Sequence, residues 1–227
     1  ASMTKIMTVM LALRENILPY RRFRLSQDIF DQMQSKGAST AGFCTGENVR
    51  VIDLMYGAIL PSGGECCVAL AKGIAGSENS FADRMNELGR KIGMQDTHCT
   101  NSTGLHDPKH YSTARDIAVL LDYALQDATF HNIITSHKHR TSVLDLKQPG
   151  GISMNSTLFG TKVSLDIPGG QILGGKTGYT NEAGHCLASF ATVNGGEYIL
   201  VTANAPQKNQ SFTDAVTVYG RLQSLLD

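Results

Sequence analysis

The sequence predicts an α+β fold, a helix and antiparallel-sheet sandwich, with a mostly helical part over residues 1–150 and a sheet with a closing helix over 160–227. Three observations carry this. Residues Ser2 to Leu13 form an almost uniformly apolar run without Gly or Pro, the pattern of a buried central helix. Two further helices carry inward stripes at helical spacing behind capping residues. From about residue 160 the chain switches to β-type runs, two of them joined by Asn194-Gly195-Gly196, a strong hairpin signal.

Taken in order, Pro19-Tyr20 ends the first helix, and Arg21, Arg22 and Arg24 follow in a short extended stretch that reads as a solvated edge. Residues 37–48 are loop and turn. Val51 to Leu60 reads as a helix stopped by Pro61. Pro61-Ser62-Gly63-Gly64 is then a tight turn into a helix from Glu65 to Ile74. Ser80-Phe81-Ala82-Asp83 resembles a capping box, with Phe81, Met85, Leu88 and Ile92 on the inner face until Gly93. Thr113 caps the next helix, whose stripe is Ile117, Leu120, Leu121, Ala124 and Leu125. Asn101 to Pro108 reads as a rigid loop between these two helices. Gln171–Tyr179, Cys186–Val193 and Tyr198–Ala203 are the strands, and Phe212 to Leu226 is the closing helix, with Val216, Tyr219, Leu222 and Leu225 inward.

The totals narrow the function. The 227 residues suffice for one domain spanning 1–227 with a sizeable core. Twenty Lys+Arg balance twenty Asp+Glu, so no global field recruits nucleic acid or anionic membrane. No apolar run is long enough to span a bilayer. The five scattered cysteines lack a CxxC pair and argue against a full disulfide framework. Among the seven histidines, His137-Lys138-His139 has no carboxylate or cysteine at zinc-like spacing. His106 and His110 have a zinc-like spacing, but Pro108 lies between them, and no metal site is predicted.

Ser2 and Lys5 stand three residues apart, so a helix puts both on one face. A serine hydroxyl becomes a nucleophile when a neighbouring base takes its proton, and a desolvated lysine is such a base. The helix N-terminus favours an oxyanion beside Ser2. Taken alone, Ser-x-x-Lys is common and describes a capping serine beside a surface lysine far more often than a catalytic pair. Ser62, displayed between two apolar helices, suits chemistry, though by itself it reads first as a helix-capping serine. Gly170 to Thr177 fits the phosphate-loop pattern G-x-x-x-x-G-K-[ST]. That motif works only where a helix follows, and here a turn and a β-type run follow, so nucleotide binding is rejected.

Ser2-x-x-Lys5, Ser62-Gly63-Gly64 and Lys176-Thr177-Gly178 occur in the order of the three motifs of penicillin-binding proteins and serine β-lactamases. Over nearly its whole length the chain resembles the low-molecular-mass penicillin-binding proteins, the serine-type D-Ala-D-Ala carboxypeptidases. Ala1 to Thr8, Leu60 to Gly63, Asn101 to Leu105 with Ser112-Thr-Ala114, and Gly175 to Thr180 with Ala183-Gly184 carry the likeness.

The resemblance implies a β-lactamase/transpeptidase-like fold whose N-terminal strands precede Ala1, so the chain is expected to extend upstream, with any export signal there. It implies that Ser2 attacks the penultimate D-alanine carbonyl of a peptidoglycan stem peptide. Lys5 is the base, and Ser62 passes a proton to the leaving amine. Lys176, Thr177 and Gly178 align the peptide along an edge strand and favour its carboxylate, and the amides of Ser2 and Tyr179 form the oxyanion hole. It further implies no metal or organic cofactor, β-lactams as covalent inhibitors, and an extracytoplasmic setting. A charge on Lys176 is expected to keep Lys5 basic. One departure stands out: Gly64 occupies the place of the family's motif asparagine. A serine β-lactamase and a non-catalytic peptide-binding relative are the alternatives.

Overall fold

The computed structural model describes residues 1–141 and 147–226. The first helix, α1 (Thr4–Arg14), is buried from Thr4 through Ala12, on every face. Ile6, Met7, Val9 and Met10 lie within its core contacts, and each such burial contributes about 1.5–3 kcal/mol, so α1 is the element the helical half packs around. A small ribbon, β1 (Arg22–Arg24) with β2 (Asn48–Arg50), is antiparallel with Phe23 opposite Val49. Arg22 and Arg24 face solvent, the edge expected of them.

Between these strands lies α2 (Gln27–Ser35), which the sequence reading lacks. Only Ile29 and Met33 of it are buried, too short a stripe to register as a period. Next come α3 (Val51–Ile59) and α4 (Gly64–Ala75), with the predicted Pro61 break between them. The helix α5 (Glu78–Ile92) corrects one expectation: its cap is Ser77, whose Oγ accepts from the Ser80 amide at 3.1 Å, so Ser80 is a first-turn residue. In α6 (Ala114–Leu125) the cap is Thr113 as predicted, accepting from the Asp116 amide at 3.1 Å. A further helix, α7 (Ala128–Thr135), is capped by Asp127, and β3 (Lys138–Arg140) pairs with β4 (Ser153–Asn155).

The main sheet is antiparallel, in the order β5 (Asp166–Ile167), β6 (Gly170–Thr180), β7 (Gly184–Val193), β8 (Gly196–Ala205). The predicted Asn-Gly hairpin joins β7 to β8, with φ +49° at Asn194 and +82° at Gly195, as a type I′ turn requires. Alternation along β7 splits the core in two. Cys186, Ala188 and Phe190 face the helical half, while Leu187, Ala191 and Val193 face the closing helix α8 (Gln210–Leu226). Tyr219 of α8 is buried there and donates its hydroxyl to the Ser189 carbonyl at 2.9 Å. Leu225, the last residue of the predicted stripe, lies outside the side chains described. Since β5 pairs only with Gly170 and Gln171, the 176–180 end of β6 has an open edge among the described residues.

Candidate active site

The chain enters α1 through a tight turn in which Lys5 N donates to the Ser2 carbonyl at 3.1 Å. This sets Ser2 one turn from Lys5, and Lys5 Nζ lies 2.7 Å from Ser2 Oγ. The lysine is 3% exposed, and its second partner is the Thr103 carbonyl at 2.8 Å. That carbonyl is aimed by a short loop wound round Asn101, whose Oδ1 accepts from Thr103 N at 3.1 Å, Thr103 Oγ1 at 2.9 Å and Gly104 N at 2.8 Å. Gly104 has φ +79°, and any Cβ there would run into the Ala1 carbonyl.

The histidine weighed as a metal ligand has a different task. His110 Nδ1 accepts from the Thr100 amide at 3.1 Å, so Nε2 carries the proton and donates to Thr4 Oγ1 at 2.8 Å. Burial pushes its pKa down to about 4, and a neutral ring braces the loop against α1. His139 is held by Asp53 at 2.7 Å and stacks on Tyr56, while His137 stacks on Phe159. Among the described residues no three ligating side chains converge.

The second pair comes from the Pro61–Gly64 turn and from β6. Ser62 sits at φ +69°, a strained conformation for a residue with a side chain, and this aims its hydroxyl at Lys176. Lys176 Nζ donates to Ser62 Oγ at 3.0 Å and to its neighbour's carbonyl, Thr177 O, at 2.9 Å. The lysine is wholly buried, so its amine is shut beneath Ser62 and does not line the cleft, as binding a carboxylate directly would require. The strand reaches the nucleophile at Gly178, where a Cβ would stand 3.2 Å from Ser2 N and 3.1 Å from the Ala1 Cβ. The Ser2 amide is therefore beside β6 at the residue preceding Tyr179. Tyr179 itself turns its ring outward onto His185, with centroids 4.4 Å apart.

Both lysines have depressed proton affinities, chiefly because burial strips water from the ammonium. At Lys5 the expected desolvation is the cause and the expected charge of Lys176 is not among the causes. Burial does the work at Lys5, opposed by the Cys67, Glu65 and Cys66 side chains, and the repulsion between the two cations falls on Lys176. Desolvation, named from the sequence as what makes a lysine a base, is the larger cause. Burial likewise pushes the Cys67 thiol up to about 12. All five cysteines are free.

Ser2, Lys5, Ser62, Gly64, Thr177 and Gly178 share the wall of one cleft of about 910 Å³. Gly64 does more than lack an amide. Its Cβ position is taken by Met33 Sδ, 2.5 Å away, and its N–H donates to the Ser39 carbonyl at 2.8 Å. We expect Gly64→Asn to lower stability by about 1–3 kcal/mol through overpacking, read as a fall in Tm, without faster acylation. An unchanged Tm with faster acylation would show that Met33 yields the space. The phosphate-loop match from Gly170 to Thr177 runs along β6 into the hairpin with β7, with no helix to hold a phosphate.

The chain is similar to known proteins in sequence and in fold. The family model for D-alanyl-D-alanine carboxypeptidases, peptidase S11, matches residues 1–207. The chain is 30% identical over 193 residues to the carboxypeptidase DacF of Bacillus subtilis, covering 84% of this chain and 47% of that protein. It is 32% identical over 181 residues to DacC of Escherichia coli, covering 79% of this chain and 42% of that one. The chain thus spans less than half the length of these curated relatives. It is similar to the crystal structure of the Streptomyces K15 DD-transpeptidase, with a TM-score of 0.86 at 25% identity, covering 97% of this chain and 87% of the other. A carboxypeptidase from Mycobacterium tuberculosis H37Rv shares the fold, with a TM-score of 0.79 at 21% identity over 100% of this chain and 80% of that one. Motifs, fold and family model agree, and the chain belongs to the D-alanyl-D-alanine carboxypeptidase family.

Proposed function

We propose that the chain is the catalytic domain, residues 1–227, of a serine D,D-carboxypeptidase acting on peptidoglycan stem peptides outside the cytoplasm. The observation that carries this reading is the 2.7 Å contact between Lys5 Nζ and Ser2 Oγ, with the lysine almost wholly buried at the wall of the cleft. Lys5 in its neutral form takes the Ser2 proton as Oγ bonds to the carbonyl carbon of the penultimate D-alanine. The negative charge that develops on the carbonyl oxygen falls near the Ser2 amide ahead of α1 and the Tyr179 amide of β6. As the C–N bond breaks, the proton taken by Lys5 passes through Ser62, with Lys176 behind it, to the departing amine of the terminal D-alanine, which leaves Lys5 neutral again. A water molecule, deprotonated in its turn by Lys5, then attacks the ester on Ser2 and releases the shortened peptide. The open edge of β6 at Thr177 and Gly178 accepts the extended peptide by strand addition. No step calls for a metal or an organic cofactor, and no helix among the described residues is long and apolar enough to cross a membrane.

β-Lactams enter the same chemistry. Ring opening leaves no departing fragment, so the ester retains the whole inhibitor. Intact-protein mass spectrometry of the folded chain with penicillin is expected to show one added penicillin, mapping to Ser2. No mass gain, or a gain on another residue, would overturn the reading. A second reading draws on the similarity to a protein named as a DD-transpeptidase. There an amine instead of water accepts the acyl group, and adding an amino acceptor would then divert product from free acid to amide.

A further inference from the structure

The ribbon of β1 and β2 turns Phe23 and Val49 inward, and Phe23 packs on α4 so closely that a Cβ at Gly73 would run into its ring. The outward face carries Arg22, Arg24 and Arg50, with Arg22 directly opposite Arg50. Like charges so placed repel and cost stability. Arg22 donates to the Asn48 carbonyl at 2.7 Å, and Arg21 lies over the Phe23 ring at 5.4 Å, contacts that neutralise neither charge. Acids near in sequence are engaged elsewhere: Glu15 pairs with Arg84, Asp28 with Lys72, and the buried Glu47 accepts from the Cys44 amide. No ion pair among the described residues includes any of these four arginines. Beside them stand Leu18 and Tyr20, 57% and 65% exposed. A lone exposed leucine is ordinary, but these two are held out by a fastened turn. Arg21 N donates to Leu18 O at 2.9 Å, and the start of α3 grips the turn through Ile52 N to Pro19 O at 3.0 Å and Val51 N to Arg21 O at 2.8 Å.

We propose that this ribbon and turn dock the protein on an anionic phospholipid surface, with the arginines on the headgroup phosphates and Leu18 and Tyr20 set into the interface. A guanidinium matches phosphate oxygens in pairs, and a tyrosine beside a leucine suits the headgroup boundary. A soluble polyanion would engage the arginines and leave the apolar pair in water, whereas a bilayer takes up both. Because the chain as a whole carries no net charge, the attraction is confined to this face and orients the molecule. Helix α4 runs from Gly64, at the Ser62 turn, to Gly73, against Phe23, and that length of helix spans about 14 Å. The docked protein therefore holds its cleft off the lipid and open to peptides.

The test is cosedimentation of the chain with vesicles of phosphatidylcholine alone and with vesicles that are one quarter phosphatidylglycerol, at about 0.1 M salt. Binding is expected to the second kind and should fall steeply as salt is raised. Each arginine near such a surface strengthens partitioning about fivefold, so Arg22→Ser combined with Arg24→Ser should weaken it about twenty-five-fold. The Tm of that double variant should hold or rise, since the repulsion across the ribbon is relieved. The chain has no tryptophan, so Leu18→Trp reports the apolar contact. Its emission should shift to the blue on phosphatidylglycerol vesicles and stay put with soluble polyphosphate. Penicillin acylation, measured first without vesicles, should keep its rate when they are added. Binding that does not depend on phosphatidylglycerol would overturn the proposal. So would binding with unshifted Leu18→Trp emission, which assigns the arginines to a soluble polyanion, and an acylation rate lost only on vesicles would overturn the orientation.

Discussion

Ser2→Ala is expected to abolish the penicillin adduct and to lower D-alanine release by on the order of 10⁵–10⁶, the loss seen when a serine nucleophile is removed from a cooperating group. The effect is chemical because little else depends on the hydroxyl. Ser2 lies ahead of α1, and its backbone carbonyl, which the alanine retains, accepts from Lys5 N. The side chain's contact is with Lys5 Nζ. Circular dichroism and Tm should therefore stay close to the unaltered chain. An adduct persisting in Ser2→Ala would move the nucleophile elsewhere and take the mechanism with it.

Lys5→Met is expected to cost about 10³–10⁴ in acylation rate, the upper range for losing a positioned general base. Methionine fills a similar volume but leaves the Thr103 carbonyl without its donor, so a modest fall in Tm accompanies the kinetic loss. Lys5→Arg is the sharper control, since a guanidinium stays protonated and cannot serve as base. In the unaltered chain the Lys5 proton affinity lies below the ordinary lysine value of 10.5. The base form is thus present above the depressed value, and acylation declines as pH falls through it. That decline should vanish in Lys5→Met, leaving a low rate that no longer follows this titration. If the same pH dependence survives in Lys5→Met, another group sets it.

The sequence carried the architecture because its signals were long. The all-round apolar run of α1, the Thr113 cap and the Asn194-Gly195 turn each name one conformation, and each formed. By contrast, α2 buries two residues, and α5 offered two serines within three positions as caps. The pairing of Ser2 with Lys5 was legible because it is local, one helical turn. The pairing of Ser62 with Lys176 spans 114 positions and was legible only through the motif order. Illegible altogether were the Thr103 carbonyl on Lys5, His110 as a brace and Met33 at Gly64. Each of these arises from tertiary packing between segments that have no shared period or motif.

The near contact of Gly178 with the entry to α1 leaves the two walls of the cleft with unequal freedom to change. On the β6 side, a side chain at Gly178 would press on the Ala1 Cβ and the Ser2 N, so a change there pushes against the backbone that carries the nucleophile. Variation in which peptides are accepted must then come from the opposite wall, where Gly37, Ala38 and Ser39 sit in a loop free of the sheet's register. Attempts to retune selectivity in this chain should diversify those three positions and keep the glycine strand intact.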